Sequence, residues 1–124
     1  MISRKNRFHG HASLRIVHQQ GKTVRGPFFL LKSTVNPRRS TYRVAVVVSR
    51  KVSKSAVVRN RIRRRLYAAV RILQDDIARP HDIVLNVFDI KLLEESPKQL
   101  ARLVKKQLTA AGILENSTKP AKDE

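Results

Sequence analysis

The sequence predicts a single α/β domain, a two-layer sandwich in which helices pack on one sheet. Residues 42–49 and 82–88 are nearly continuous runs of apolar, largely β-branched side chains, as is typical of strands covered on both faces. Between them, residues 55–73 carry apolar side chains at helical spacing. Two such strands that flank a helix are expected to be parallel neighbours joined by a crossover. The length of 124 residues suits one domain with a substantial core.

The start of the chain is predicted to form an arm, a helix and the first strand. Residues 1–8 form a flexible basic arm, and residues 11–20 form a short helix for which Gly21 is a suitable C-terminal stop. Residues 22–26 lead into Pro27, which marks a turn or an edge strand. This part therefore supplies one helix and one strand.

The next two strands are predicted on either side of a polar loop. Residues 28–35 are rich in strand formers, and residues 36–40 are predicted to be a hairpin loop that joins them to the strand at 42–49. The arginine-rich helix follows, and either Ser53 or Ser55 can cap its start.

The second half of the chain continues with a strand and a loop. The arginine-rich helix is predicted to extend to about residue 76, because residues 79–81 contain a proline that breaks it. Residues 82–88 form the next strand, and residues 89–95 form a loop.

The C-terminal helix has clear start and stop signals. Ser96 is the predicted N-cap with Pro97 in the first turn, and Gly112 ends the helix. Its apolar stripe consists of Leu100, Leu103, Val104 and Leu108. The domain is expected to span residues 1–114, and residues 115–124 are expected to be a disordered polar tail. The predicted order is αβββαβα.

The segment 55–73 combines an apolar face with an arginine-rich remainder. The apolar positions are Val58, Ile62, Leu66, Ala69, Val70 and Leu73. The remaining surface holds Arg59, Asn60, Arg61, Arg63, Arg64, Arg65, Tyr67 and Arg71. At about 100° per residue, the positions that point away from the apolar stripe are Asn60, Arg64, Tyr67 and Arg71, and those that flank it are Arg59, Arg61, Arg63 and Arg65. Aliphatic packing is therefore expected to anchor a helix whose guanidinium groups face a polyanion. The alternative is a solvated amphipathic helix, but such helices usually interleave acids with bases.

The charge is distributed very unevenly. Residues 1–74 hold 19 Lys and Arg and no acid, whereas residues 75–124 hold 8 bases and 9 acids, which together give the net charge of +18. Because one half is strongly positive and the other is neutral, the charge creates a positive electrostatic potential on one part of the protein. This favours an anionic partner over a role in solubility alone. Nucleic acid is the favoured partner. An anionic membrane surface is a weaker alternative, because no helix combines bulky apolar residues with an undocked face.

The sequence lacks the residue patterns that catalysis by the polypeptide itself would need. There is no cysteine, so thiolate metal sites and cysteine nucleophiles are excluded. The acidic residues have no spacing that resembles a two-metal site, and there is no Gly-rich phosphate loop or nucleophile motif. His9 and His11 flank a glycine, which is ordinary for a surface turn. The sequence therefore favours a binding protein with no metal site of its own.

The chain has no apolar run long enough to span a bilayer, and residues 1–11 lack the apolar core of a secretory signal. The absence of cysteine fits a reducing compartment. We therefore expect a cytoplasmic protein with no membrane partner.

One stretch, VSRKVSKSAVVRNRIRRRL, resembles the signature of the bacterial ribonuclease P protein subunit family, whose centre is Arg59-Asn60-Arg61. The resemblance covers roughly residues 4–113, from Arg7-Phe8 to beyond Asp82-Ile83-Val84. It implies a four-stranded sheet with three helices and a left-handed crossover that contains the arginine helix, against the usual right-handed rule.

The resemblance also implies a function. The protein would be a component of the ribonucleoprotein endoribonuclease that removes the 5′ leader from precursor tRNA. A catalytic RNA subunit would hold the Mg²⁺ ions and perform the hydrolysis, and the protein would bind that RNA and the leader. No obligatory protein partner is expected. An alternative is a ribosomal or RNA-assembly protein without a nuclease role, and a third is a self-sufficient metal-dependent nuclease.

The resemblance assigns two sets of site residues. The contacts with the catalytic RNA are Arg59, Asn60, Arg61, Arg63 and Arg64. The leader-binding cleft, between the first helix and the sheet, contains Leu14, His18, Lys32, Arg50 and Lys51. The family often has aromatic residues at some cleft positions, whereas here only His18 offers a flat ring. Tyr67 stands where a basic residue is common, and could replace a phosphate contact by stacking.

Overall fold

The computed structural model describes residue 17 and residues 21–36, 41–77 and 80–114. The predicted basic arm, most of the predicted first helix and the predicted polar tail lie outside these residues. The described part contains a four-stranded mixed sheet and two long helices.

Six regular elements follow one another in the described part. They are β1 (Lys22–Arg25), β2 (Phe29–Val35), β3 (Arg43–Val48), α1 (Ala56–Ile72), β4 (His81–Val87) and α2 (Pro97–Ala110). Short 3-10 turns at Gln74–Asp76 and Ile90–Glu94 follow α1 and β4. The predicted α/β class is confirmed.

The strand order in the sheet is β1-β2-β4-β3. β2 pairs antiparallel with both β1 and β4, while β3 and β4 are parallel neighbours connected through α1. The predicted parallel pair on either side of the arginine helix is therefore confirmed.

The prediction of a hairpin loop at residues 36–40 is wrong. β2 and β3 are not neighbours, because β4 lies between them and pairs with all seven residues of β2. The Asn36 N–H donates to the Pro80 carbonyl at 2.7 Å, so this connection starts beside β4. An interior strand buries apolar side chains on both faces, and the nearly continuous apolar β4 satisfies that requirement. The connection from β2 must therefore pass β4 to reach the edge strand β3.

Both helices pack on one face of the sheet through the predicted stripes. The side chains of Ile62, Leu66 and Val70 in α1 are fully buried, and so are Val104 and Leu108 in α2. The sheet contributes alternating residues, namely Phe29, Leu31, Val44, Val46, Ile83 and Leu85. This face forms the main core and fixes how α1 is rotated about its axis.

The other face of the sheet carries a smaller cluster of Val17, Ala45 and Val84. Val17 is helical and 1% exposed, and its carbonyl accepts a hydrogen bond from the Gly21 N–H at 2.8 Å. A Cβ at Gly21 would collide with the carbonyls of Val17 and Ser33, so only glycine fits there. Val17, the described residue of the predicted first helix, therefore packs on this face.

The helix ends follow capping chemistry. The Ser55 hydroxyl accepts from the Val58 N–H, and the Ser96 hydroxyl accepts from the Gln99 N–H. α1 ends at Ile72, four residues before the predicted end, and the chain then tightens into a 3-10 turn. Gly112 follows α2 with a φ of 75°, a left-handed conformation that favours glycine.

Tyr42 generates a prediction for alkaline stability. It is 5% exposed, its hydroxyl donates to Gln74 Oε1 at 3.0 Å, and burial raises its pKa to about 12, although Arg71 lowers it in part. Since the unfolded chain ionises this group near pH 10, the free energy of unfolding should fall between about pH 10 and pH 12, by roughly 2–3 kcal/mol.

The measurement is urea unfolding of the wild type and of Tyr42→Phe from pH 9 to pH 12. The wild type should lose more stability than the variant across this window, because only the wild type carries the shifted hydroxyl. Parallel curves for the two proteins would contradict the assignment. All residues other than position 42 are the same in the two proteins, so their contributions cancel in the comparison.

Candidate nucleic-acid interface

The predicted RNA contacts lie on the side of α1 that faces away from the core. Asn60, Arg61 and Arg64 are exposed, and Arg59 and Arg63 are half-buried. Ile62 and Leu66, on the opposite side, are fully buried. The packing therefore presents the arginines outward as a group.

Arg63 is oriented by its neighbour one turn earlier. Its Nη1 donates to Asn60 Oδ1 at 2.8 Å. Asparagine at this spacing on a helix lies within reach of the arginine head group. The bond limits the rotamers of a long side chain, so less conformational entropy is lost when the guanidinium binds an anion. Asn60 thus supports the arginine surface without carrying charge.

The loop before α1 is held by hydrogen bonds within the chain. The Val52 N–H donates to the Ser49 carbonyl at 3.1 Å, and the Ser55 N–H donates to Ser53 Oγ at 3.1 Å. Arg59 Nη1 donates to the carbonyls of Ser53 and Lys54 at 2.9 and 3.0 Å. The loop and the first turn of α1 are therefore locked together.

This lock places further cations beside the helix. Arg50, Lys51 and Lys54 are exposed in the loop. We define the α1 basic surface as these three residues together with the exposed or outward side chains of the helix, namely Asn60, Arg61, Arg63 and Arg64. Cations that cover a loop and about one and a half helical turns suit a polyanion whose charges are regularly spaced.

Arg65 has a structural role that the sequence pattern did not reveal. Its guanidinium donates to the Leu93 carbonyl at 2.8 Å and to the Glu95 carbonyl at 2.6 Å. It therefore joins α1 to the segment that leads into α2, and it faces the protein rather than a ligand. Its neighbours have the same chemistry, so no residue type distinguishes it. Arg65 differs from the other arginines because the carbonyls of the segment before α2 lie within reach of its guanidinium.

Tyr67 was predicted to point away from the apolar stripe, and this is wrong. It is 9% exposed, and its hydroxyl accepts a hydrogen bond from the Val46 N–H at 3.3 Å. β3 is an edge strand, so alternate N–H groups along it have no strand partner. Tyr67 satisfies one of them. It is part of the core and is unavailable to stack on a base.

The cleft predicted on the second sheet face is described only in part. Lys32 is half-buried on β2 and lies level with Val84 in the neighbouring strand, on the face that Val17 covers. Leu14 and His18 lie outside the described residues. Arg50 and Lys51 belong to the loop beyond the end of β3 and are shared with the α1 basic surface.

A charged cluster closes one end of this second face. Arg43 donates two hydrogen bonds to the Asp82 carboxylate, from Nε to Oδ1 at 2.9 Å and from Nη2 to Oδ2 at 2.8 Å. Asn36 Nδ2 also donates to Asp82 Oδ2, at 2.9 Å. Asp82 is 6% exposed, so its charge needs these partners. The cluster joins the residue after β2 to β3 and β4, and it pairs the charge of Arg43 within the protein.

Among the described residues one aromatic ring is exposed to solvent. Phe29 is fully buried and Phe28 is half-buried against the core. Phe88, after β4, is 41% exposed, and the Arg25 guanidinium lies 4.8 Å from its ring centroid. Sequence reasoning missed Phe88 because it ends an apolar run that otherwise belongs to the core.

Neither of the long helices within the described ranges is long and apolar enough to cross a membrane. Those same ranges contain no group of three or more His, Cys, Asp or Glu side chains that could hold a metal ion.

Comparison with known proteins gives a consistent result. The family model described as Ribonuclease P matches residues 2–112. The chain is 35% identical to the ribonuclease P protein component of Roseiflexus castenholzii over 86% of both chains, and 31% identical to that of Rippkaea orientalis over 95% of both.

Solved structures agree at the level of the fold. The RNase P protein of Staphylococcus aureus superposes with a TM-score of 0.77 at 20% identity, covering 89% of this chain and 98% of that one. The RNase P protein of Thermotoga maritima gives a TM-score of 0.69 at 19% identity, covering 82% and 91%.

The two kinds of arginine on α1 can be separated by stability. Arg65→Ala should lower the free energy of unfolding by about 1–3 kcal/mol, because two carbonyls lose a charged donor. Arg64→Ala, at an exposed position of the same helix, should change it by less than about 0.5 kcal/mol. Urea unfolding at neutral pH measures both. Equal effects of the two substitutions would contradict the structural role of Arg65.

Proposed function

Because the chain belongs to the ribonuclease P protein family, we propose that its α1 basic surface binds the catalytic RNA subunit of that ribonucleoprotein. The protein is the protein component of the endoribonuclease that processes tRNA 5′ ends, with catalysis attributed to the RNA.

The observation that carries the proposal is the uncompensated charge of α1. Among the described contacts of its arginines, the acceptors of Arg59, Arg63 and Arg65 are carbonyl and amide oxygens, which are neutral. No acidic residue precedes Asp75 in the chain. Like charges so close together repel one another, and phosphate groups would relieve that repulsion while releasing counterions. RNA binding accounts for the exposed arginines of this surface, Arg61 and Arg64, for which the isolated protein shows no comparable structural role among the described contacts.

We further propose that the second sheet face binds the 5′ leader of precursor tRNA. Lys32 lies on that face, and Arg50 and Lys51 extend the positive charge beyond it. Leu14 and His18 are assigned to the same cleft on the family resemblance. The Asp82 cluster at the far end of the face is neutralised by Arg43, so the unpaired charge lies toward the loop that precedes α1.

Several finer points of the family resemblance are also proposals. They are a third helix at residues 11–20, a left-handed β3–α1–β4 crossover, Mg²⁺ ions held mainly by the RNA, and a cytoplasmic complex without an obligatory protein or membrane partner. The helical Val17 and its contact with Ala45 and Val84 support the first of these.

Reconstitution tests the function directly. The purified full chain should cleave no precursor tRNA by itself, and it should restore leader removal at low magnesium when it is added to the catalytic RNA. Failure to restore cleavage would favour a ribosomal or RNA-assembly protein that uses the same surface. Cleavage by the protein alone would favour a self-sufficient nuclease.

The α1 basic surface makes a separate prediction for salt dependence. Arg64→Ala should weaken binding of the catalytic RNA and lower the slope of log K against log salt by under about one unit, because one phosphate contact is lost. Arg71→Ala is the matched control. Arg71 is exposed on the same helix but lies near Tyr42, outside the proposed surface.

Filter binding or anisotropy over a salt series measures the slope for the wild type and both variants. An unchanged slope in Arg64→Ala, or an equal decrease in Arg71→Ala, would show that this face of α1 does not contact phosphate.

A further inference from the structure

The outer side of α2 carries a second basic surface that the proposed function does not use. Residues 97–110 contain four bases and no acid, although residues 75–124 as a whole have one more acid than base. The four are Lys98, Arg102, Lys105 and Lys106, and all are exposed. At about 100° per residue they fall within an arc of about 100° opposite the buried stripe of the helix. The charge is therefore concentrated on one face of α2.

A pocket of about 300 Å³ lies beside this face, between α2 and the turn from β1 to β2. Its walls are largely apolar and include Val24, Pro27, Leu103 and Ala110. Arg25 and Lys106 border it from opposite elements. Pockets that bind flat organic groups have this character, with apolar walls and a few polar groups at defined positions.

Gln107 holds the pocket in shape. Its Nε2 donates to the carbonyls of Val24 and Phe29 at 3.2 Å each, which attaches the turn to α2. Gly26 lies against the same amide, and a Cβ there would collide with it. The glutamine is 4% exposed. The wall is therefore fixed by packing and hydrogen bonds before any ligand arrives.

The same side chain has an unused acceptor. Gln107 Oε1 is buried and has no hydrogen-bond partner among the described residues. Buried polar atoms nearly always have a partner, so an orphaned acceptor at a pocket wall indicates a site for a donor. Nucleobases offer both a flat apolar face and N–H donors at the edge.

We propose that the α2 pocket binds one base of a single-stranded RNA, with Arg25 and Lys106 on the phosphates that flank it. The remaining basic face of α2, including Arg102, would follow the backbone beyond. A duplex would not fit, because its bases are paired and stacked inside the helix. An acidic peptide would use the cations but leave the apolar walls and the acceptor without a partner. The proposal is independent of the function assigned to the α1 basic surface.

The test uses the full chain with Arg63→Ala and Arg64→Ala, so that binding by the α1 basic surface is weakened equally in every sample. The probes are a fluorescein-labelled octamer of adenylate and an abasic oligonucleotide of the same length and label. Ala110→Trp fills the pocket without changing charge, since Ala110 is exposed at the end of α2. Lys106→Ala removes one cation, and Lys91→Ala, at an exposed position outside the site, is its matched control.

Ala110→Trp should weaken binding of the adenylate octamer about tenfold, as expected when one stacked base is lost, and leave the abasic probe unchanged. Lys106→Ala should weaken both probes and lower the salt slope, and Lys91→Ala should affect neither. Thermal unfolding verifies that the variants are folded, and Ala110→Leu is the smaller substitute if the tryptophan variant is not.

Two results would overturn the proposal. One is that the Ala110→Trp variant and its parent protein bind the adenylate octamer with equal affinity. The other is displacement of that octamer by polyglutamate of equal charge as efficiently as by unlabelled adenylate, because the surface would then recognise charge alone.

Discussion

The packing of the α1 apolar stripe against the sheet is the interaction on which the rest of the structure depends. Ile62, Leu66 and Val70 are completely buried, and their rotation about the helix axis determines which arginines face outward. The parallel pairing of β3 with β4 sets the length that the connection must span. A helix of 17 residues fills that span and brings its own N-terminus beside the loop at the end of β3. This hydrophobic contact therefore places the helical cations of the α1 basic surface, and the hydrogen bonds of the preceding loop place the others.

Arginine performs three different tasks within this one helix. Arg64 is exposed to solvent. Arg59 donates hydrogen bonds to carbonyls of the preceding loop, and Arg65 donates to carbonyls of the segment that leads to α2. The planar guanidinium can do all three because its donors form a fork and its charge is never lost. A lysine at position 59 or 65 would offer a point charge without that geometry. The positive charge of residues 55–73 is thus partly an architectural resource, which explains why the arginines outnumber the assigned RNA contacts.

The two sides of the sheet carry different kinds of polar chemistry. On the face away from the two helices, Asp82 gathers Arg43 and Asn36 into a neutralised cluster at the strand ends. On the helical side, Gln107 uses a neutral amide to attach the β1–β2 turn to α2 and leaves one acceptor over. Both are buried polar groups whose partners must be nearby to offset desolvation. The first has partners for its charge within the protein, whereas the second leaves Gln107 Oε1 without a partner among the described residues.

The sequence by itself determined where the long helices and the strands lie, which residues can cap the helices, and which half of the chain is positively charged. Helical spacing located both long helices, Ser96 was identifiable as a cap and Ser53 or Ser55 as alternative caps, and the absence of acids before Asp75 predicted that this half meets a polyanion. These features are local, so a residue and its near neighbours suffice to specify them. Family resemblance added the tRNA-processing function, which no periodicity could supply.

Only the tertiary structure decided which elements meet. That β4 lies between β2 and β3, that Tyr67 is buried under an edge strand, and that Arg65 binds carbonyls about 30 residues away all depend on contacts between distant segments. Strand propensity does not specify a partner, and identical guanidinium groups do not reveal which of them a neighbouring helix will cover. Long-range packing assigned those roles, because it alone determines which polar groups remain facing water.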